Sequence, residues 1–335
     1  MISGGGLTLD VYGLRILVEG DWPQVLEALR LDFEWFARAR LSGRTDVAVR
    51  VERRAPDFDA LGELTAAFVT PRNIVYQAGP LTAVDYFGRA LSLFDRRAGT
   101  LTIQGEDEHL VHEAAYLFLL SRAGRHLDAR GLPRLHALAL SCSQGGVAVI
   151  LPSGGGKSTL ALRALQDPQV KLLSEDSPLL DRRGVLHPFP LRIGINETDA
   201  DLLPADGVRR IERMEFHPKL VLALSSYLDR IESSPTKLRH LVIGRRSLAR
   251  SATLERLGRG DAIGPLLREC VVGVGVYQGM EFVLQRGIRD AVGMLGTAFV
   301  RASSCFAGLR RADIWRLTLG RDHERNWQAL QPLLR

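Results

Sequence analysis

"VAVILPSGGGKSTLALRAL", residues Val147–Leu165, is an apolar run that breaks into Gly154, Gly155 and Gly156, passes through Lys157, Ser158 and Thr159, and continues as a helix-like pattern. Successive backbone N–H groups of a glycine-rich turn can point at one anion, and glycine permits both the dihedrals and the close approach of backbone to phosphate. A helix starting near Lys157 adds its positive dipole end, Lys157 a mobile ammonium for the outer phosphates, and Ser158 a hydroxyl for magnesium. Ser153, Gly154, Gly155, Gly156, Lys157, Ser158 and Thr159 are therefore expected to cradle the phosphates of a nucleotide. Phosphate loops usually carry a glycine where this chain has Leu151, so Leu151 is expected to end the strand in an ordinary conformation and Pro152 to begin the turn.

Asp167 and Pro168 stop the helix, and Val170–Gly184, "VKLLSEDSPLLDRRG", then supplies a short apolar strand ending in Glu175 and Asp176. A strand, a crossover helix and a second strand are nearly always wound right-handedly with the strands parallel, so both strand ends emerge on one edge. Glu175 and Asp176 should therefore lie beside Lys157 and Ser158. A phosphate site needs carboxylates there for two reasons: one to hold magnesium and one to accept the proton of an attacking hydroxyl. Upstream, Leu132–Ser153 reads as two apolar strands joined at Gln144 and Gly145, a hairpin whose register sets His136 opposite Ser153. No structural partner for the charge of Lys157 is evident from the sequence.

The chain has 335 residues, of which 46% are hydrophobic and 24% charged, enough to bury a full core in one large or two modest domains. Its net charge of +6 comes almost wholly from arginine, since Lys157, Lys171, Lys219 and Lys237 are the lysines. The arginines are scattered and form no tract, so neither a nucleic-acid nor a membrane partner is indicated. Cys142, Cys270 and Cys305 are odd in number and in no metal-like spacing, which fits a reducing compartment. The N-terminus lacks a basic start followed by an apolar stretch, and no apolar run approaches the roughly 20 residues of a membrane span, so a cytoplasmic protein is expected.

Residues 1–100 read as a small α+β region without chemistry of its own. Strands are expected at Gly13–Gly20, Asp46–Glu52, Arg72–Gly79 and Gly99–Gly105, with a helix over Asp21–Phe33 that has Pro23 in its first turn. A second helix is expected over Glu106–Gly124, stopped by Gly124. His109 and His112, three apart, have no evident third ligand and read as solvated or capping residues. Val271–Gly279, "VVGVGVYQG", reads as a buried strand.

The order of "LHALAL", "VAVILPSGGGKSTLA" and "LLSED", with His136 twenty-one residues before Lys157, resembles the catalytic domain of bacterial HPr kinase/phosphorylase and its relatives over roughly Leu101–Asn196. The resemblance implies an α/β fold with a P-loop kinase core on a mixed sheet, of the HPr kinase/phosphoenolpyruvate carboxykinase type, over 101–335. It makes Lys157 the phosphate-binding lysine, Ser158 and Asp176 magnesium ligands, Glu175 the catalytic base and His136 a neighbour of the transferred phosphate. The function it implies is a magnesium- and ATP-dependent kinase whose acceptor is a serine of a protein or peptide recognised with help from the N-terminal region. Homo-oligomerisation is compatible with it. Glu175 where the family has aspartate, and the missing first loop glycine, leave open a nucleotide-binding regulatory or scaffold protein without transfer, or a small-molecule kinase.

Overall fold

A computed structural model describes residues 6–204, 206–214, 217–272 and 288–335. The chain is of mixed α/β class, with large mixed sheets, and its contacts divide it into two units. One is centred on Met1–Ala123 with Arg209–Leu220, the other on Gly124–Val208, Val221–Tyr277 and Ala291–Arg335. Among the described residues no helix is long and apolar enough to cross a membrane.

The first unit holds an eight-stranded sheet: β1 Leu7–Val11, β2 Leu14–Gly20, β3 Val47–Arg53, β4 Ala66–Val69, β5 Ile74–Ala78, β6 Leu81–Asp85, β7 Ala90–Asp95 and β8 Thr100–Gly105. Its order is β1-β2-β3-β8-β7-β6-β5-β4, so the sheet takes in residues beyond 100. β2, β3 and β8 run parallel and the other pairs antiparallel. Alternation drives the pairing: Val47, Val49 and Val51 of β3 are buried while Arg50 between them is exposed. Helix α1, Pro23–Asp32, crosses from β2 to β3 and buries Val25, Leu26 and Leu29, as its spacing requires. Strands β1, β4, β6 and β7 are absent from the sequence reading because each is short and several lack clean alternation, as in "LTAVD" with three consecutive buried positions.

Helix α2 is Glu108–Ala129, and Gly124 does not stop it. The glycine has a packing reason instead, since a Cβ at that position would run into the guanidinium of Arg134. His112 is a structural residue: its Nε2 lies 2.8 Å from the fully buried Asp32, which also pairs with Arg209. No metal-like group of three or more His, Cys, Asp or Glu occurs among the described residues.

The second unit is built on β9 Leu138–Cys142, β10 Gly145–Ile150, β11 Lys171–Ser174, β12 Leu179–Leu180, β13 Val185–His187, β14 Thr236–Arg246, β15 Thr253–Arg256 and β16 Asp313–Leu319. The order is β11-β9-β10-β14-β13-β12, with β16 beside the C-terminal half of β14 and β15 beyond it. Helix α3, Lys157–Gln166, follows β10, and helices α4, Ile288–Arg311, and α5, His323–Leu330, complete the named elements. Leu135, Ala139, Ala148, Ile150, Leu173, Leu241 and Ile314 form one core, and a buried Asp128–Arg301 pair at 2.6 Å joins α2 to α4. The expected strand at Val271–Gly279 lies for the most part outside the described residues; its first two, Val271 and Val272, end a π-helical turn, Leu267–Val272.

The β9–β10 hairpin turns at Ser143 and Gln144, one residue earlier than expected, pairing Gly145 with Cys142 and Val149 with Leu138. Moving the turn centre by one residue moves each cross-strand partner by two, so every side chain keeps its face. His136 accordingly lies ahead of β9, which starts at Leu138, and not in it.

Strand direction decides where the chemistry gathers. β9 is antiparallel to both β10 and β11, so those two run the same way, as the crossover rule requires, with β9 inserted between them. β14 is parallel to β10 and β16 parallel to β14. Four C-terminal strand ends thus reach one edge. Close approach there depends on a glycine: Leu151 is fully buried, and a Cβ at Gly244 of β14 would meet the Leu151 side chain and lie 3.0 Å from the Ile150 carbonyl.

This packing predicts coupled stabilities. Gly244→Ala overpacks the strand pair and is expected to lower stability by about 1–3 kcal/mol. Leu151→Ala leaves a cavity and is expected to lower it by about 2–5 kcal/mol. In denaturant unfolding the double variant should lose clearly less than the sum, because the shortened residue makes room for the added methyl. Simple additivity would show that Leu151 does not fill the space Gly244 leaves.

Candidate active site

The loop expected to hold phosphates lies between β10 and α3, with Gly154 at φ 71° and Gly156, the N-cap of α3, at φ 107°. Gly155 N–H donates to the Pro152 carbonyl at 2.9 Å, closing the turn that Pro152 begins. Ser153, Gly154, Gly155, Gly156, Lys157, Ser158 and Thr159 are therefore contiguous at a helix N-terminus, the position where backbone N–H groups have no intrahelical acceptor.

Lys157 does have partners. Its side chain is 6% exposed, and Nζ lies 2.7 Å from His136 Nε2, donates to the Leu151 carbonyl at 2.9 Å, and stands 3.4 Å from Asp176 Oδ1. A buried ammonium needs this, since an uncompensated charge out of water is strongly unfavourable. The residue at the missing-glycine position therefore has a second use, because its carbonyl anchors the lysine.

His136 is placed by its backbone. Its N–H donates to the Glu269 carbonyl at 3.2 Å, and the next residue, Ala137, donates to the Asp176 carbonyl at 3.3 Å. The ring then sits between two carboxylates: Nδ1 is 2.7 Å from Glu269 Oε2 and Nε2 is 3.0 Å from Asp176 Oδ1. Two proton arrangements fit these distances. With one ring proton, on Nδ1 toward Glu269, Nε2 accepts from Lys157. With two, Nε2–H donates to Asp176 and meets the lysine as a second donor, so the ring proton decides whether Lys157 is held.

Glu269 is the site residue that sequence reasoning does not find. It lies more than a hundred residues beyond the loop, in the π-helical turn, and nothing in "PLLREC" marks it. Its carboxylate also accepts from Arg268 Nε at 2.7 Å.

Glu175 and Asp176 follow β11 and diverge, as successive residues leaving a strand do. Glu175 Oε1 accepts from the Ser158 hydroxyl, whereas Asp176 faces His136 and Lys157. The hydroxyl expected to pair with Asp176 around magnesium is thus beside Glu175. Asp176 is also the open member of its cluster, with 40% of its side chain exposed against 10% or less for His136, Lys157 and Glu269.

The charges tune one another. Burial works against a charged imidazole, but the hydrogen bond and charge of Asp176, helped by Glu269 and opposed by Lys157, hold the His136 pKa above the ordinary value. The surrounding protein disfavours the Asp176 carboxylate, yet the hydrogen bonds and charges of His136 and Lys157 outweigh this and bring its pKa down to about 2. Glu269 is likewise lowered, burial being outweighed by His136 and Arg268.

These directions fix a pH window. His136, raised on folding, stabilises the protein fully below its unfolded pKa of about 6.5 and ceases to as pH climbs through the raised value. Asp176 and Glu269, lowered on folding, stabilise it above about pH 4 and cease to as pH falls. Thermal unfolding midpoints of the native chain and His136→Gln should therefore differ most between about pH 5 and 6.5, with the gap narrowing on both sides. A gap independent of pH would mean that the imidazole is not charged between the two carboxylates.

Comparison with known proteins adds no assignment, for no model of a protein family and no curated protein matches the chain.

Proposed function

We propose that the chain is a magnesium- and ATP-dependent kinase that transfers a phosphoryl group to a hydroxyl, with a protein or peptide serine as acceptor. The observation that carries the reading is the junction at one sheet edge of a glycine-rich loop at a helix N-terminus, a lysine on that helix, and two carboxylates with different partners. P-loop kinases of the HPr kinase/phosphoenolpyruvate carboxykinase type, which the sequence resembles, need this set.

Roles follow from the contacts. Ser158, on the first turn of α3, and Glu175 beside it would hold magnesium, directly or through water. The ion would supply charge neutralisation on the phosphates and nothing the chain need provide otherwise. Asp176, exposed on one side and backed by His136 on the other, is the carboxylate that an acceptor hydroxyl can reach, so the role of base passes to it from Glu175. The hydroxyl oxygen attacks the terminal phosphorus, its proton goes to Asp176, and the bond from that phosphorus to the bridging oxygen breaks to leave ADP. His136 and Glu269 steady the charge of Asp176 throughout. Lys157 is placed to follow the phosphates once the imidazole no longer accepts from it.

Three variants separate the roles. Lys157→Ala should lose both tight ATP binding and transfer. Asp176→Asn should bind Mg-ATP with near-normal affinity and lose on the order of 100-fold or more in rate, the usual worth of a positioned proton acceptor. Glu175→Gln should instead raise the magnesium concentration needed for half-maximal rate, because a neutral amide oxygen is a poorer ligand for a hard cation. Nucleotide titrations and rates at several magnesium concentrations, with phosphate transfer to peptides or co-purifying proteins followed by mass spectrometry, read all three. Tight, lysine-dependent ATP binding with no phosphorylated product would make the chain a nucleotide-binding module without transfer, and unchanged turnover in Lys157→Ala would remove the phosphate-loop assignment.

A further inference from the structure

The loop is approached by cations from both flanks of β10, and they are in opposite states. On the β9 side, Lys157 is buried and occupied by a carboxylate, an imidazole and a carbonyl. On the β14 side stands Arg246. The parallel register pairs Ile150, the last residue of β10, with Ile243, and β14 continues three residues beyond that pair to Arg246. Its guanidinium lies against the loop itself: a Cβ built on Gly156 would be 3.4 Å from Arg246 Nη1. Arg246 is exposed and makes no ion pair or side-chain hydrogen bond among the described residues, whereas its neighbour Arg245 donates from Nε to the Thr318 hydroxyl at 2.9 Å.

A guanidinium held beside the N-terminus of a helix, next to N–H groups without acceptors, adds positive charge where the helix dipole is already positive. That placement is unfavourable for the protein alone and becomes favourable when an anion arrives. Gly156 suits this position because its φ of 107° would strain any residue with a side chain, and even a Cβ there would reach van der Waals contact with the guanidinium.

We propose that Arg246 is a phosphate-binding residue of this loop, the cation that receives the phosphate chain of the incoming nucleotide while Lys157 is still engaged with His136 and Asp176. The assignment rests on the reading of the loop as a nucleotide site and extends it to a residue on a different strand. Its planar fork can donate two parallel hydrogen bonds to phosphate oxygens, which the lysine cannot. Because it binds the phosphate chain and not the base, ATP and inorganic tripolyphosphate should depend on it alike.

The test uses the full chain. Affinities for Mg-ATP and, by competition, for tripolyphosphate are measured at several salt concentrations for the native protein, Arg246→Gln, Arg246→Lys, Lys157→Ala and Arg245→Gln. Arg246→Gln is expected to weaken both ligands by the same factor, about 10-fold or more, as removal of a charge-assisted hydrogen-bonding group does. It should also flatten the salt dependence, and Arg246→Lys should recover part of the loss. Arg245→Gln removes the same charge one residue away and should stay within about 2-fold, in line with an exposed charge that touches no ligand. Unchanged thermal midpoints check that the Arg246 and Arg245 variants fold, and a cooperative thermal transition checks Lys157→Ala, whose midpoint is expected to shift because its contacts also support the second unit. Native-like binding in Arg246→Gln alongside loss in Lys157→Ala would overturn this assignment and leave the loop reading standing. Equal losses in Arg246→Gln and Arg245→Gln would reduce Arg246 to general surface charge and overturn it too. Failure of the native chain to bind either ligand would remove the loop reading and this assignment together.

Discussion

A buried ammonium organises the second unit. Lys157 is 6% exposed, and a cation so placed is tolerable only where acceptors surround it. Among the described residues, the three groups around it come from three separate segments: the Leu151 carbonyl at the end of β10, His136 ahead of β9, and Asp176 after β11. Each requires its own support. His136 needs Glu269 on its other nitrogen, Asp176 needs the main-chain bond from Ala137, and Leu151 needs the recess beside Gly244. The order β11-β9-β10-β14 is the arrangement that brings all of these to one edge. Loss of the lysine would leave His136 between two carboxylates with no cation on its far side, so the same contacts serve folding and site at once.

That coupling has a mechanistic side. The imidazole can accept from Lys157 or donate to Asp176 through the same nitrogen, but not both. In the proposed reaction, a proton taken up by Asp176 and passed to His136 Nε2 would loosen the hold on the lysine, and a lysine drawn toward phosphates would leave the imidazole free to bind that proton. Proton transfer and phosphate contact would then be linked through one atom, His136 Nε2.

What could be read in the sequence was local or followed from handedness. The loop, its strand and helix, and the arrival of Glu175 and Asp176 beside Lys157 and Ser158 needed only the residue order and the right-handed crossover. The hairpin register differs by two residues from the one the sequence suggests, because Gly145, which looks like a turn residue, carries its positive φ as the first residue of β10. Gly124 misled for a related reason, since a glycine at a helix end and a glycine under a neighbouring guanidinium look the same in one dimension. Glu269 and Arg246 were out of reach. Each is an ordinary charged residue in an ordinary segment, brought to the loop by contacts across more than eighty residues of chain. That Glu175 and Asp176 differ is expected from the sequence, but which contacts each makes is not legible there, because adjacent carboxylates differ only in which way the backbone turns them.

The leucine where phosphate loops carry glycine now has a physical account. At position 151 glycine would have no side chain to pack; Leu151 instead is fully buried. Its bulk has to go somewhere, and it goes into the space that Gly244 leaves on the adjacent strand. The glycine has in effect moved from the loop strand to its parallel neighbour. The packing of Leu151 matters because its carbonyl is one of the lysine's acceptors, so a well-packed side chain helps set where that acceptor lies. Gly154 and Gly156, the two loop positions with positive φ, flank the backbone N–H groups that an anion would meet. The loop therefore combines a buried leucine at its strand end with glycine-only backbone conformations at its helix end, an arrangement that in the proposed reading would leave the N–H groups open to phosphate beside the carbonyl that holds the lysine.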